Sequence, residues 1–158
     1  MTAPAPRARP LTDDEIDAFL RTSVIARLAT VKPDGSPYIV PVWQYWDGSS
    51  MFVIPRARSA FVEHLRQNRQ VAVSCADDVD PAHTRVLLEG VARVVEGPVE
   101  MQGRMLEIAN DMAVRYMGPD GPRYLARTAK RPRYLVEITP SRVTSWRGGE
   151  WHPRYVTP

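Results

Sequence analysis

The fold is decided by residues 25–55, IARLATVKPDGSPYIVPVWQYWDGSSMFVIP. The runs IARLATV, PYIVPVWQYW and MFVIP are rich in β-branched and aromatic residues, which suit a pleated, half-buried surface. Between them stand PDGS and WDGS, whose Asp-Gly pairs supply the backbone freedom that tight hairpins need. The stretch therefore predicts an antiparallel meander over the first third of the chain.

The pattern changes on both sides of it. Upstream, Thr12 and Glu15 form a capping box, and Ile16, Phe19 and Leu20 recur at helical spacing, which predicts a short helix ending near Arg21. The proline-rich segment 1–10 is expected to be a disordered arm. Downstream, Ser59 opens a second helix through Phe61, Val62 and Leu65. The strand QVAVSCA follows, then the polar loop DDVDPAH and a long strand, RVLLEGVARVVE. From Pro98 to about Met117 apolar residues recur at helical spacings, with Gly118 and Pro119 as a stop. A shorter helical piece is expected around Arg123 to Thr128. RYLVEI then alternates as a strand, which Thr139 and Pro140 are expected to break before SRVTSW resumes. The sum is a mainly β domain over residues 11–158. It has six antiparallel strands in a closed or partly closed barrel, with helices packed outside.

A chain of 158 residues is about one domain and buries roughly two thirds of its unfolded surface, enough for a core without staples. The single cysteine, Cys75, lies in VAVSC and reads as a packed thiol, which points to a reducing compartment. No run approaches the roughly 18 apolar residues of a membrane span, so a soluble cytoplasmic protein is expected. The net charge is +3, and of the basic residues only Lys32 and Lys130 are lysines. Arginine presents a planar fork of donors suited to phosphates and carboxylates, so the bias favours an anionic ligand. The arginines are scattered and carry no nucleic-acid-binding motif, so nucleic acid is not expected as a partner.

The chain lacks a Gly-rich phosphate loop, Cys-x-x-Cys, His-x-x-x-His and Gly-x-Ser-x-Gly. His64, His83 and His152 have no metal-ligand spacing, and no metal is expected. What remains is PRARSAFVEHL, 55–65, where Arg56 and Arg58 flank a strand-to-helix junction and Ser59 sits at the N-cap. Unpaired amides, a hydroxyl and two guanidinium forks would make an anion cradle there. Equally, Ser59 would only cap the helix and the arginines would be solvated. The other concentration of chemistry is the tail SWRGGEWHPRY, 145–155, at a place where chains usually fray.

Taken in order, these segments resemble the pyridoxamine 5'-phosphate oxidase-like, FMN-binding split β-barrels over roughly residues 11 to 155. The most specific parts are LATVKPDGSP, LEGVARVVE, and a tail in which Trp146 is followed by Gly148, Gly149, Arg154 and Tyr155. The resemblance implies a homodimer with cofactor sites at the subunit interface. Val40, Pro41, Val42 and Trp43 would lie along the isoalloxazine ring, and Ile54 and Pro55 would close one side. Arg56, Arg58 and Ser59 would hold the phosphate, Arg85 would be a polar cofactor contact, and Trp146 and Arg154 would reach in from the other subunit. Trp43, Tyr45, Trp146 and Trp151 would either wall a substrate pocket or pack the barrel and interface.

The chain departs from the family pattern in two places. The usual Arg-Lys pair at the start of the second helix is replaced by Ala60 and Phe61, and the tail is shorter than in the true oxidases. The resemblance thus implies an oxidoreductase using FMN, or the deazaflavin F-420, on a small molecule other than vitamin B6. The alternative is a non-catalytic flavin-, haem- or other ligand-binding barrel. The side chains name no catalytic acid or base.

Overall fold

The computed structural model describes residues 8–148. Helix α1 (Asp13–Leu20) starts as its sequence predicts. The Thr12 hydroxyl accepts from the Glu15 amide, and the Glu15 carboxylate accepts from the Thr12 amide. Asp17 on α1 accepts from the Trp46 indole at 2.9 Å and from Arg21 at 2.7 Å, tying the helix to the sheet. Of the expected N-terminal arm, residues 1–7 lie outside the described residues, and Arg9 exchanges two backbone hydrogen bonds with Arg147.

Seven strands form one antiparallel sheet, one more than expected. They are β1 (Ala26–Val31), β2 (Pro37–Val42), β3 (Tyr45–Trp46), β4 (Met51–Val53), β5 (Gln70–Ala76), β6 (Arg85–Val99) and β7 (Arg133–Trp146), in the order β2-β1-β5-β6-β7-β4-β3. The hairpins β1–β2 and β3–β4 form on the two Asp-Gly turns. The meander does not, because PYIVPVWQYW breaks between β2 and β3, which lie at opposite edges of the sheet. The break falls at Gln44, fully buried, whose backbone amide donates to the Tyr116 hydroxyl at 3.2 Å rather than to a neighbouring strand. Its side-chain amide donates to the Leu20 carbonyl at 2.7 Å.

Three helices follow α1: α2 (Ala60–Gln67), α3 (Gly103–Met117) and α4 (Gly121–Ala126). Helix α3 begins later than the expected Pro98, because β6 continues to Val99, which pairs with Arg133. Strand β7 is unbroken where Thr139 and Pro140 were expected to stop it. The missing Pro140 donor is absorbed by a register shift between Glu89 and Gly90, and Gly90 pairs with Pro140.

Alternation along the strands sorts the interior into two clusters. Met51, Val53, Val136 and Ile138 join α1, α2, β1 and β5 in the larger one, within the curled sheet. Phe52 and Leu135 point the other way, into a smaller cluster with Met105, Ile108, Met112 and Leu125 of α3 and α4. Cys75 is fully buried in the larger cluster. Burial pushes its thiol up to about 12.

Two outcomes follow. A methyl group on Gly90 would meet the Thr139 carbonyl oxygen at 2.1 Å, so Gly90→Ala should destabilise by about 3 kcal/mol and lower Tm by roughly 6–12 °C in calorimetry. Cys75 favours the fold only as the neutral thiol. Its contribution is complete below the unfolded thiol's range, near 8.5, and is lost as pH rises towards about 12. At pH 8 the native thiol should resist iodoacetamide and react only in denaturant.

Candidate functional site

A cavity of ≈ 440 Å³ lies at the seam between the two clusters. Strand β2 supplies one wall with Tyr38, Val40, Pro41 and Val42, extended by Trp43 beyond its end. Val53, Ile54, Pro55 and Arg56 form the floor as β4 runs towards α2, and Ser59, Ala60 and Phe61 follow at the start of that helix. Met101, Ala109, Met112, Tyr124 and Leu125 close the far side from α3, α4 and the segment before α3. Arg133 at the start of β7 completes the lining.

The aromatic end is rigidly built. Trp43 stacks on Tyr116 of α3 with centroids 5.0 Å apart and planes 5° from parallel, and Tyr124 lies 6.4 Å away at a tilt. The Tyr116 hydroxyl donates to the Val24 carbonyl at 2.7 Å while accepting from Gln44, and burial pushes the phenol above its ordinary range. Trp43 is thus braced from behind by a ring that is itself held at its hydroxyl. Tyr45 packs in the smaller cluster near Phe52, 6.3 Å between centroids, and does not line the cavity.

The polar end is cationic. Arg56 and Arg133 are opposed residues of an isolated antiparallel bridge, fixed by backbone bonds from Ala57 to Pro132 and from Tyr134 to Pro55, each 3.0 Å. Ser59 is the N-cap residue of α2 but makes no capping bond with its side chain, and Arg56 and Arg58 are both exposed. Arg133 donates to the Thr128 hydroxyl at 3.0 Å, and its Nε is buried without a partner among the described residues. Burial, and then the neighbouring charge of Arg56, holds Arg133 below the usual arginine range. Among the described residues no carboxylate lines the cavity. An apolar, aromatic body with two guanidinium groups at one end fits a planar ligand with an anionic tail.

A family model described as pyridoxamine 5'-phosphate oxidase matches residues 12–147. The chain belongs to that family. Among solved structures, a conserved hypothetical protein from Mycobacterium tuberculosis is 28% identical, with a TM-score of 0.70 over 94% of this chain and 89% of its own. An F-420 reductase is 24% identical, with a TM-score of 0.63 over 80% and 94%. The haem storage protein HutZ from Vibrio cholerae is 20% identical, with a TM-score of 0.62 over 82% and 91%. These last two likenesses are of fold. No curated protein matches the sequence.

Within this pyridoxamine 5'-phosphate oxidase family member, the cavity gathers Val40, Pro41, Val42, Trp43, Ile54, Pro55, Arg56 and Ser59 from the sequence-derived set. Arg58 is exposed and does not line it. Arg85 and Trp146 are cross-strand partners on β6 and β7, also outside the cavity of their own chain. Arg85 lies 3.8 Å from Asp78, and its Nη1 is buried without a partner among the described residues. Arg154, His152 and Trp151 lie outside the described residues. His64 is a core residue, 2.9 Å from the Thr30 hydroxyl and edge-on to Tyr38. The sequence reading missed Arg133, Tyr116 and Tyr124. Their only local signal was helical or strand alternation, and their meeting depends on long-range pairing.

Tyr116→Phe keeps the stack on Trp43 but leaves the Gln44 amide and Val24 carbonyl unpaired. It should cost about 2 kcal/mol in denaturant unfolding, and Tyr116→Ala should cost more.

Proposed function

We propose that the chain is a flavin-dependent oxidoreductase of the pyridoxamine 5'-phosphate oxidase family. In this reading the cavity holds FMN, and the reaction moves a hydride to or from a small organic molecule other than vitamin B6. The observation that carries this reading is the joining, in one cavity, of the apolar wall Val40–Trp43 to the cationic end at Arg56 and Arg133. When bound, the flavin supplies the hydride chemistry, and the protein supplies binding and orientation.

The residues present fit that group. Val40, Val42 and Ile54 offer apolar contact to a flat ring system, and the outward backbone of β2, an edge strand, offers unpaired carbonyls, Pro37 and Pro41 having no amide to give. The Ser59 hydroxyl and the Arg56 guanidinium supply donors for a phosphate. Trp43 and Tyr124 leave a stacking surface for the substrate. The deazaflavin F-420 is the alternative occupant, with the same requirement for a planar ring and an anionic tail.

The proposal includes a homodimer, in which Trp146 and Arg154 of one protomer complete the cavity of the other. Support comes from apolar side chains left on the outer strand faces. Ile39 is 64% exposed, Val91 45% and Val143 43%. No helix among the described residues is long and apolar enough to cross a membrane, and the cytoplasm is the proposed site of action.

Absorbance of the purified protein, with mass spectrometry of the released ligand and titration with FMN, F-420 and haem, tests the reading. A yellow protein releasing FMN is expected. Haem uptake alone would move the chain to the ligand-binding alternative, and binding of none of the three would refute the cofactor reading. Arg56→Ala should weaken FMN binding about 10- to 100-fold, the loss of charge-assisted bonds worth about 1.5–3 kcal/mol. Light scattering should report a dimer at micromolar concentration.

A further inference from the structure

We propose that Arg133 is the second cation of a dianion clamp, closing with Arg56 on the phosphate of the bound cofactor and replacing the basic pair absent at Ala60 and Phe61. This assignment rests on the flavin reading for the identity of the ligand, but the clamp itself is argued from the fold.

Directly opposed residues of an antiparallel bridge project to the same face with their Cβ atoms about 5 Å apart. Arg56 and Arg133 are such a pair, and both line the cavity. Like charges so placed repel: Arg133 is half-buried, and Arg56, although exposed, is close enough to add to the cost of its charge. Neither arginine makes an ion pair with a described carboxylate. Arg133 also leaves its Nε buried and unbonded, an expensive position for a charged donor. A group with two negative charges and several acceptor oxygens would relieve all three costs together. A phosphate monoester above its second pKa, about 6, is such a group, and a single carboxylate is not.

The same geometry explains the departure at the start of α2. Ala60 and Phe61 both touch the cavity but bring no charge. The cation arrives instead from β7, held to the strand–helix junction by the bonds between Pro55–Ala57 and Pro132–Tyr134. The clamp is built of backbone on both sides, so the points from which its two side chains start hold their spacing without a helix between them.

The decisive experiment is parallel fluorescence titration with FMN and with riboflavin, which differ only in the phosphate. Wild type, Arg133→Ala, Arg133→Lys and the distant surface control Arg142→Ala are compared. The expected result is a 10- to 100-fold loss of FMN affinity in Arg133→Ala with riboflavin affinity unchanged, partial recovery in Arg133→Lys, and no change in the control. Equal losses for both ligands would assign Arg133 a structural role through Thr128, and no loss for either would remove it from the site; either result overturns the clamp while leaving the flavin reading intact.

Should Arg133→Ala fail to fold, wild type alone decides. Inorganic phosphate should compete with FMN but not with riboflavin, and its failure to compete would overturn the clamp. Should no flavin bind at all, the cofactor reading fails by itself. The clamp then stands if phosphate or pyrophosphate raises the Tm of wild type by clearly more than that of Arg133→Lys, and falls if it protects both equally or neither.

Discussion

Gln44 is fully buried in the middle of what reads as one long strand, and its backbone amide is bonded to the Tyr116 hydroxyl of α3. A buried amide must find a partner, and a partner outside the sheet ends a strand. The ladder therefore stops at Val42 and restarts at Tyr45, with the two pieces at opposite edges of a seven-stranded sheet. The cavity opens along the first of these edges. The same contact places Tyr116 behind Trp43, so the break in the sheet and the aromatic wall have one origin.

The rest of the site is a matter of charge at the other end. Backbone bonds of 3.0 Å on either side of the Arg56–Arg133 bridge bring two cations together where burial has already weakened one of them. Such an arrangement costs stability in the free protein. The aromatic end is made rigid and the cationic end is made needy.

Much of this was legible from the residues. Thr12 and Glu15 cap α1, the Asp-Gly pairs turn the two hairpins, and Ser59 marks the start of α2, because each of these signals acts within a few residues. The wall Val40–Trp43 and the residues Ile54, Pro55, Arg56 and Ser59, implied by the family resemblance, share one cavity, whereas Arg58 stays outside it. What could not be read depends on distant partners. The break at Gln44 requires Tyr116 and Leu20, the passage of β7 through Pro140 requires the register shift at Gly90, and the approach of Arg133 to Arg56 requires an antiparallel bridge between remote segments. Proline and strand alternation speak about neighbours, and these three features are set by pairing. The tail from Gly149 onward lies outside the described residues, so its share in the site rests on the sequence alone.

The alternation on β4 and β7 divides labour between neighbouring positions. Met51, Val53 and Val136 belong to the curled sheet, whereas Phe52 and Leu135 belong to the layer of α3 and α4. Substitutions on one set are therefore felt by the barrel, and on the other by the helical lid of the cavity. Drift at Phe52, Leu135, Met112 and Leu125 could reshape what the cavity accepts while the barrel stays as it was. One strand of three residues thereby lets the helical side of the cavity vary while the wall on β2 stays fixed.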